Sequence, residues 1–233
     1  MSFDFKKFHL TDKKTPMKIG IDSVILGAWA DGRSANSVLD IGSGCGILSF
    51  MLAQRFENVN ITGVEIYKPA YDDSIINLEH YPGKSNIRFF NTNIKEWESQ
   101  SQFDMIISNP PFFSGSIIPK DKGRFVARFQ SELTLVDFAK TVKKHLSDWG
   151  NFSLLIPFAD YKRVDYIFND SGLFLYRKTE IKHFPNSDSK RVLLEYRKSK
   201  SDINYSNKLI IKDLNGRYTS EFVSLTKEFY LDF

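Results

Sequence analysis

"LDIGSGCGIL" (39–48) sets Gly42, Gly44 and Gly46 between two apolar runs of different period. Upstream, "SVLDIG" (37–42) reads as a short buried strand; downstream, "ILSFMLAQRF" (47–56) spaces its apolar residues as a helix does. Strand, glycine turn and helix in that order predict the first unit of an open α/β sheet. A ligand in such a sheet sits at the carboxyl ends of the strands. Glycine allows a tight turn and lets a ligand approach bare backbone.

The same alternation runs outward. Strands are predicted at 60–66, 86–91, 103–108 and 151–157, and helices at 69–81, 133–146 and 161–170. Pro69 suits the first turn of its helix. Two long strands, "LFLYRKTEI" (173–181) and "KRVLLEYRK" (190–198), have no helix between them and predict an antiparallel pair at one edge. The tail "YTSEFVSLTKEFYLDF" (218–233) reads as a short amphipathic helix docked on the body. The expected fold is α/β and Rossmann-like, with seven mostly parallel strands and an antiparallel edge hairpin. All 233 residues form one domain in this reading: an extension over 1–35, a core over 36–200 and an addition over 201–233.

Composition narrows the classes. No stretch approaches the roughly 18 apolar residues of a membrane span, and "MSFDFKKFHLTDKK" has no apolar signal core. Cys45 is the single cysteine and the four histidines are scattered, which excludes an internal disulfide and gives no metal-ligand spacing. A cytoplasmic monomer without metal or membrane attachment is expected. The net charge of +4 is uneven: residues 176–217 carry eleven Lys/Arg against five Asp/Glu, and the first twenty carry five lysines against two aspartates. Basic ends mixed with Phe, Tyr and His point to a nucleic-acid partner. Phe3, Phe5 and Phe8 lie among four lysines, and at least one of these rings is expected in the core.

Two features define a site. Glu65 ends the second strand, nineteen residues after Gly46, where a carboxylate can accept both hydroxyls of a ribose. Enzymes that bind dinucleotides want G-x-G-x-x-G. The G-x-G-x-G spacing here, preceded by Asp40, favours a phosphate-free nucleoside ligand such as S-adenosylmethionine. The fourth strand then runs into "MIISNPPFFSG" (105–115), where two prolines stop the strand and stiffen a loop that holds an amide beside an aromatic ring. An exocyclic amine on a base is a poor nucleophile because its lone pair is delocalised into the ring. Two acceptors aimed at its hydrogens draw that pair out. The Asn109 side-chain oxygen and the Pro110 carbonyl are the candidates, with Pro111 enforcing the turn and Phe112 stacking on the base. Positioning then carries most of the rate.

With these residues in hand, the chain resembles class I S-adenosylmethionine-dependent amino-methyltransferases, through "LDIGSGCG" and "NPPF". Over nearly its whole length, about residues 5–233, it is similar to the bacterial valine-tRNA adenine-37 N6-methyltransferases. The added likeness lies in "MKIGIDSVILGAWA" (17–30), the Lys/Arg-rich loop after "NPPFF", "RVLLEY" (191–196) and the tail. The resemblance implies methyl transfer to N6 of an adenine beside the anticodon of a valine tRNA. It places Lys18 and Asp22 near the cofactor, Asp40, Gly42 and Gly44 at its methionine part, and Glu65 at its ribose. Ser43, Gly46, Ile66, Asn93, Ile94 and Asn109 complete the cofactor set. Asn109, Pro110, Pro111 and Phe112 meet the base. Lys120, Lys122, Arg124 and Arg128 in "GSIIPKDKGRFVARFQ" (115–130) and Lys190 and Arg191 near the last strand are expected on tRNA phosphates.

The sequence departs from the family pattern at Ile21 for threonine, Tyr67 for aspartate, Asn93 for aspartate and Cys45 for a small polar residue. Asn93 can still donate and accept at an adenine edge, so weaker cofactor binding is expected. Cys45 reads as a small residue that fits the turn. Asn-Pro-Pro-aromatic loops also serve guanine N2 methylation of ribosomal RNA and glutamine methylation of release factors. Phe112 and the short run before the first strand argue against the glutamine enzymes. A non-catalytic RNA-binding module on this fold is the remaining alternative, opposed by intact Asp40, Glu65 and Asn109. A nicotinamide oxidoreductase is more distant still, because of the glycine spacing.

Overall fold

The computed structural model describes residues 2–84, 86–110, 133–201 and 205–232. A small antiparallel ribbon, β1 (Ser2–Asp4) and β2 (His9–Thr11), precedes α1 (Ile21–Trp29). The alternating part follows: β3 (Ser37–Ile41), α2 (Ile47–Arg55), β4 (Asn60–Glu65), α3 (Lys68–Glu79), β5 (Asn86–Asn91) and β6 (Phe103–Ser108). Next come α4 (Leu135–His145), β7 (Leu146–Pro157), α5 (Tyr161–Asp170), β8 (Phe174–Lys182), β9 (Ser189–Arg197), β10 (Tyr205–Ile210) and α6 (Ser220–Thr226).

The main sheet has the order β10-β8-β9-β7-β6-β3-β4-β5 among the described residues. Strands β5, β4, β3, β6 and β7 are mutually parallel, and β9 runs antiparallel between β7 and β8. This corrects the expected seven strands. The eighth, β10, pairs parallel with β8 and lies outside it, so the antiparallel pair is not at the edge. Its first four residues are exposed, so it shows no apolar alternation. Its membership comes from backbone pairing, and it extends the sheet into the segment read as a C-terminal addition.

Alternation of side chains across the pleat divides the core in two. Val38, Met105, Ile107, Leu155 and Leu193 face α1 and α2. Leu39, Ile106, Leu154 and Leu194 face α4 and α5. Both chain ends join the first layer: Phe5, Phe8 and Leu10 are buried there, as are Phe222 and Phe229 of the tail. Phe3 packs against that layer while partly exposed. The Lys6 amide donates to the Phe229 carbonyl, so the two ends also hold each other. Thr219 caps α6 by accepting from the Phe222 amide.

Candidate functional site

The carboxyl ends of β3, β4 and β6 converge on one cavity of about 280 Å³, walled by residues 15–23, the glycine loop, Glu65 and Asn109. The loop is shaped by three left-handed glycines, with φ of 70° at Gly42, 57° at Gly44 and 89° at Gly46. Only glycine takes these angles without strain. An ideal Cβ at Gly42 would meet nothing within 4 Å, which leaves bare backbone on the cavity wall. Gly46 has another duty. A Cβ there would stand 2.7 Å from Phe50 and 2.8 Å from Phe89, so it lets the helix start close against the sheet.

Asp40 lies under this loop and not on the cavity wall. It is fully buried, and its Oδ2 accepts from the Ser49 amide (3.2 Å) and hydroxyl (2.7 Å), which ties β3 to the first turn of α2. Burial pushes its carboxyl up to about 7, against the opposing Ser49 bonds. Glu65 does face the cavity. Its Oε2 accepts from the Gly44 amide (2.9 Å) and its Oε1 from the Tyr67 amide (2.7 Å). Each oxygen keeps a second lone pair for a ligand hydroxyl. Burial raises this carboxyl too, with the backbone donors pulling it down. Burial pushes the Cys45 thiol up to about 12, so it is a packed small side chain and not a nucleophile.

The front wall is a strap from the N-terminal segment, and α3 holds it. Asp73 Oδ2 accepts from the Lys14 amide, the Thr15 amide and the Thr15 hydroxyl, at 2.8, 2.8 and 2.9 Å. One helical turn on, Asn77 accepts from the Thr11 amide and donates to the Thr11 and Cys45 carbonyls. Asn77 thus joins strap and glycine loop. Asp12 accepts from the Ile19 amide (3.0 Å), and Lys18 Nζ donates back to the carbonyls of Asp12 and Lys13. Lys18 therefore lines the cavity as part of the strap's own bracing. None of this anchoring was read from the sequence, where Asp73 and Asn77 look like the polar side of an amphipathic helix.

A narrow slot of about 20 Å³ adjoins the cavity at Gly42, lined by Ile66, Asn93 and Ile94 among others. Asn93 Oδ1 already accepts from the Lys95 amide (3.0 Å), which leaves its amide nitrogen as the group for a ligand edge.

Asn109 stands where β6 ends. Its Nδ2 donates to the Ser23 hydroxyl at 3.0 Å, while its Oδ1 is buried and has no hydrogen-bond partner among the described residues. An unpaired buried carbonyl costs about 1–3 kcal/mol, a cost that a donor on a ligand would remove. The strand end beneath is fixed by the Ser108 hydroxyl, which donates to the Ile41 carbonyl at 2.7 Å. Pro110 follows, buried. Asp22, next to Ser23 on α1, binds Arg191 of β9 through Oδ2 and Nε at 3.0 Å. Arg191 is therefore a brace on the cavity wall, while Lys190 is exposed beside it. Pro111, Phe112, Lys120, Lys122, Arg124 and Arg128 lie outside the described residues. Among the described residues there is no cluster of three potential metal ligands, and no helix is long and apolar enough to cross a membrane.

Comparison with known proteins adds three findings. Residues 20–134 match the family described as Methyltransferase small domain. Over 232 residues the chain is 34% identical to a tRNA1(Val) (adenine(37)-N6)-methyltransferase of Flavobacterium johnsoniae, covering 98% of this chain and 99% of that one. An enzyme of the same name from Pseudoalteromonas translucida is also 34% identical, with 98% of each chain covered. Among solved structures, a predicted O-methyltransferase from Agrobacterium tumefaciens superposes with a TM-score of 0.64 at 17% identity, over 89% of this chain and 96% of that one. A methyltransferase from Pyrococcus furiosus gives 0.55 at 19% identity, over 75% and 80%. These two share the fold.

Proposed function

The chain belongs to the family of tRNA1(Val) (adenine(37)-N6)-methyltransferases, and from that premise we propose how its residues carry the reaction. It is an enzyme that transfers a methyl group to the exocyclic N6 of an adenine in tRNA, at position 37 of a valine tRNA. The observation that supports the assignment best is the unpaired Asn109 Oδ1 beside the cavity that Glu65 and the glycine loop line.

The cavity suits S-adenosylmethionine. Bare backbone at Gly42, a buried carboxylate with spare lone pairs at Glu65 and a slot ending at Asn93 match a nucleoside carrying an amino-acid arm. Residues 18–23 and 42–44 hold that arm, Glu65 the ribose, and Ile66, Asn93 and Ile94 the adenine. When bound, this cofactor supplies a methyl group on a positively charged sulfur.

The chain's own residues do the rest. Asn109 Oδ1 accepts one N6 hydrogen of the target base, and the Pro110 carbonyl accepts the other. With both hydrogens held, the nitrogen lone pair leaves conjugation and points at the methyl. Phe112 stacks on the base and fixes its plane. The amine loses its proton after transfer, so no strong base is needed next to it, and orientation supplies most of the acceleration. Ser23 keeps the Asn109 amide turned with its oxygen toward the base.

Incubation with S-adenosylmethionine and unmodified tRNA, followed by digestion to nucleosides and mass analysis, tests this reading. N6-methyladenosine is expected, and single tRNAs tried in turn identify the valine acceptor. A methylated guanosine, or no methylated nucleoside at all, would overturn it.

A further inference from the structure

The carboxyl edge of the sheet continues past the cavity. Because β8 is parallel to β7 through the intervening β9, Lys182 at its end lies on the same edge as Asn109. The start of β9 and the end of β10 lie there too: Ile181 is level with Arg191, and Lys182 with Ile210. Two loops project from this stretch. The first, 183–188, joins β8 to β9. The second, 211–219, follows β10 and is stitched to the first by the Ile211 and Lys212 amides, which donate to the carbonyls of Lys182 and His183.

Together with Lys190 at the start of β9, their side chains form a ledge of cations and rings. Lys190 and Arg217 are exposed, Lys212 Nζ sits 5.1 Å over the exposed Tyr218 ring, and His183 meets Phe184 edge-on at 4.6 Å. The acidic groups on the same loops are Asp188 and Asp213. Asp213 is spent on the turn, where its Oδ1 accepts from the Asn215 and Arg217 amides. The ledge meets the cavity through the Arg191–Asp22 pair. At about 4.8 Å per strand, β9, β8 and β10 stand roughly 10–19 Å from β6, too far to touch a base on Asn109 and well placed for the strand that carries it.

We propose that loops 183–188 and 211–219 form a docking ledge for RNA, with Lys190, Lys212 and Arg217 on phosphates of the stem next to the target base and Tyr218 against the sugar–base surface. This rests on the reading of tRNA as substrate. The ledge carries a positive field with rings interleaved and few acids, and its link to Asp22 joins RNA docking to the cavity wall.

The test is a triple variant, Lys190→Ala with Lys212→Ala and Arg217→Ala, set against a control of equal charge away from this edge, Lys84→Ala with Lys140→Ala and Lys143→Ala. Equilibrium tRNA binding is measured over a salt series without turnover, and S-adenosylmethionine binding by calorimetry. The ledge variant should keep cofactor affinity, bind tRNA at least tenfold more weakly near 0.15 M salt, and show a slope of log affinity against log salt that is smaller by about 2–3. The control should match the wild type. Wild-type affinity and slope in the ledge variant, or equal loss in the control, would overturn the ledge. A separate assay for N6-methyladenosine keeps the two readings apart. If wild-type protein binds tRNA through the ledge yet makes no methyladenosine, the reaction assigned above fails and the ledge stands.

Discussion

The two halves of the carboxyl edge are built from different materials. Around β3, β4 and β6 the wall is backbone and buried side chains: left-handed glycines, Glu65 gripped by two amides, a strap pinned by Asp73, and an amide held by one hydroxyl. Around β8, β9 and β10 it is exposed Lys, Arg, His and Tyr on loops. A small ligand that must be held to a fraction of an ångström needs groups that cannot move. A long polyanion needs only charge within reach, and flexible cations provide it at low ordering cost. Substitutions in the first half should therefore act on chemistry or folding, and those in the second on RNA affinity and salt dependence.

The largest expected effect is Asn109→Ala. It removes a buried acceptor that has no partner among the described residues and should lower turnover at least a hundredfold, the scale for losing one preorganised hydrogen-bonding group. S-adenosylmethionine affinity, read by calorimetry, should hold within a few-fold. Lost cofactor binding would move Asn109 from the base side of the cavity to the cofactor side.

Next is the buried carboxylate under the loop. Asp40 titrates near 7 in the folded protein against an ordinary value of 3.8, so the folded state keeps a proton that the unfolded state has released. Its contribution to stability is complete below about pH 3.8 and is lost as pH rises toward 7. Glu65, raised in the same direction, adds to the slope. Asp40→Asn removes one titration and should flatten the fall in urea-unfolding free energy between pH 4 and 7.5, by on the order of a few kcal/mol. An unchanged slope would mean that Asp40 is ionised in the fold. Asp73→Ala comes third. It strands the Lys14 and Thr15 amides and should cost about 2 kcal/mol in thermal unfolding, with weaker cofactor binding as the strap loosens. Wild-type values in both would show that α3 does not hold the strap.

These contrasts also explain what could be read before the fold was known. Glycine spacing and the Asn-Pro-Pro turn are local: φ above zero and a missing N–H are written into single residues, so the loop and the end of β6 were legible. The short apolar runs of the central strands were legible for the same reason, because a strand buried on both faces is apolar along its length. β10 was not, because its first four residues are exposed and show no apolar alternation, while Leu209 near its end reaches the core. Asp40 shows the limit of a motif. A carboxylate at a strand end fits a ligand or a helix terminus equally well, and only the Ser49 bonds decide between them. Asp73, Asn77 and Ser23 act on partners 58, 66 and 86 residues away, and no short-range pattern records such pairs. Arg191, read as a phosphate contact, is turned inward by Asp22 for the same reason.

The smallest expected effect is the sharpest test of rigidity in the first half. Ser23 touches the Asn109 amide nitrogen and lies on α1, not on β6. A carboxamide can flip, and the flipped form would present two donors to an amine that needs an acceptor. By accepting from Nδ2, the Ser23 hydroxyl makes the productive orientation the lower one, by about 1 kcal/mol for a neutral hydrogen bond. Ser23→Ala should then lower kcat several-fold while leaving KM for S-adenosylmethionine and the unfolding temperature close to wild type. Ser23→Thr, which restores the hydroxyl, should recover most of the rate. In an Asn109→Asp background the anchor has no amide to orient, since both carboxylate oxygens accept. There Ser23→Ala should no longer act through orientation, and the kcat ratio should shrink toward one. An equal ratio in both backgrounds would assign Ser23 to packing of α1 and leave the amide held by β6 alone.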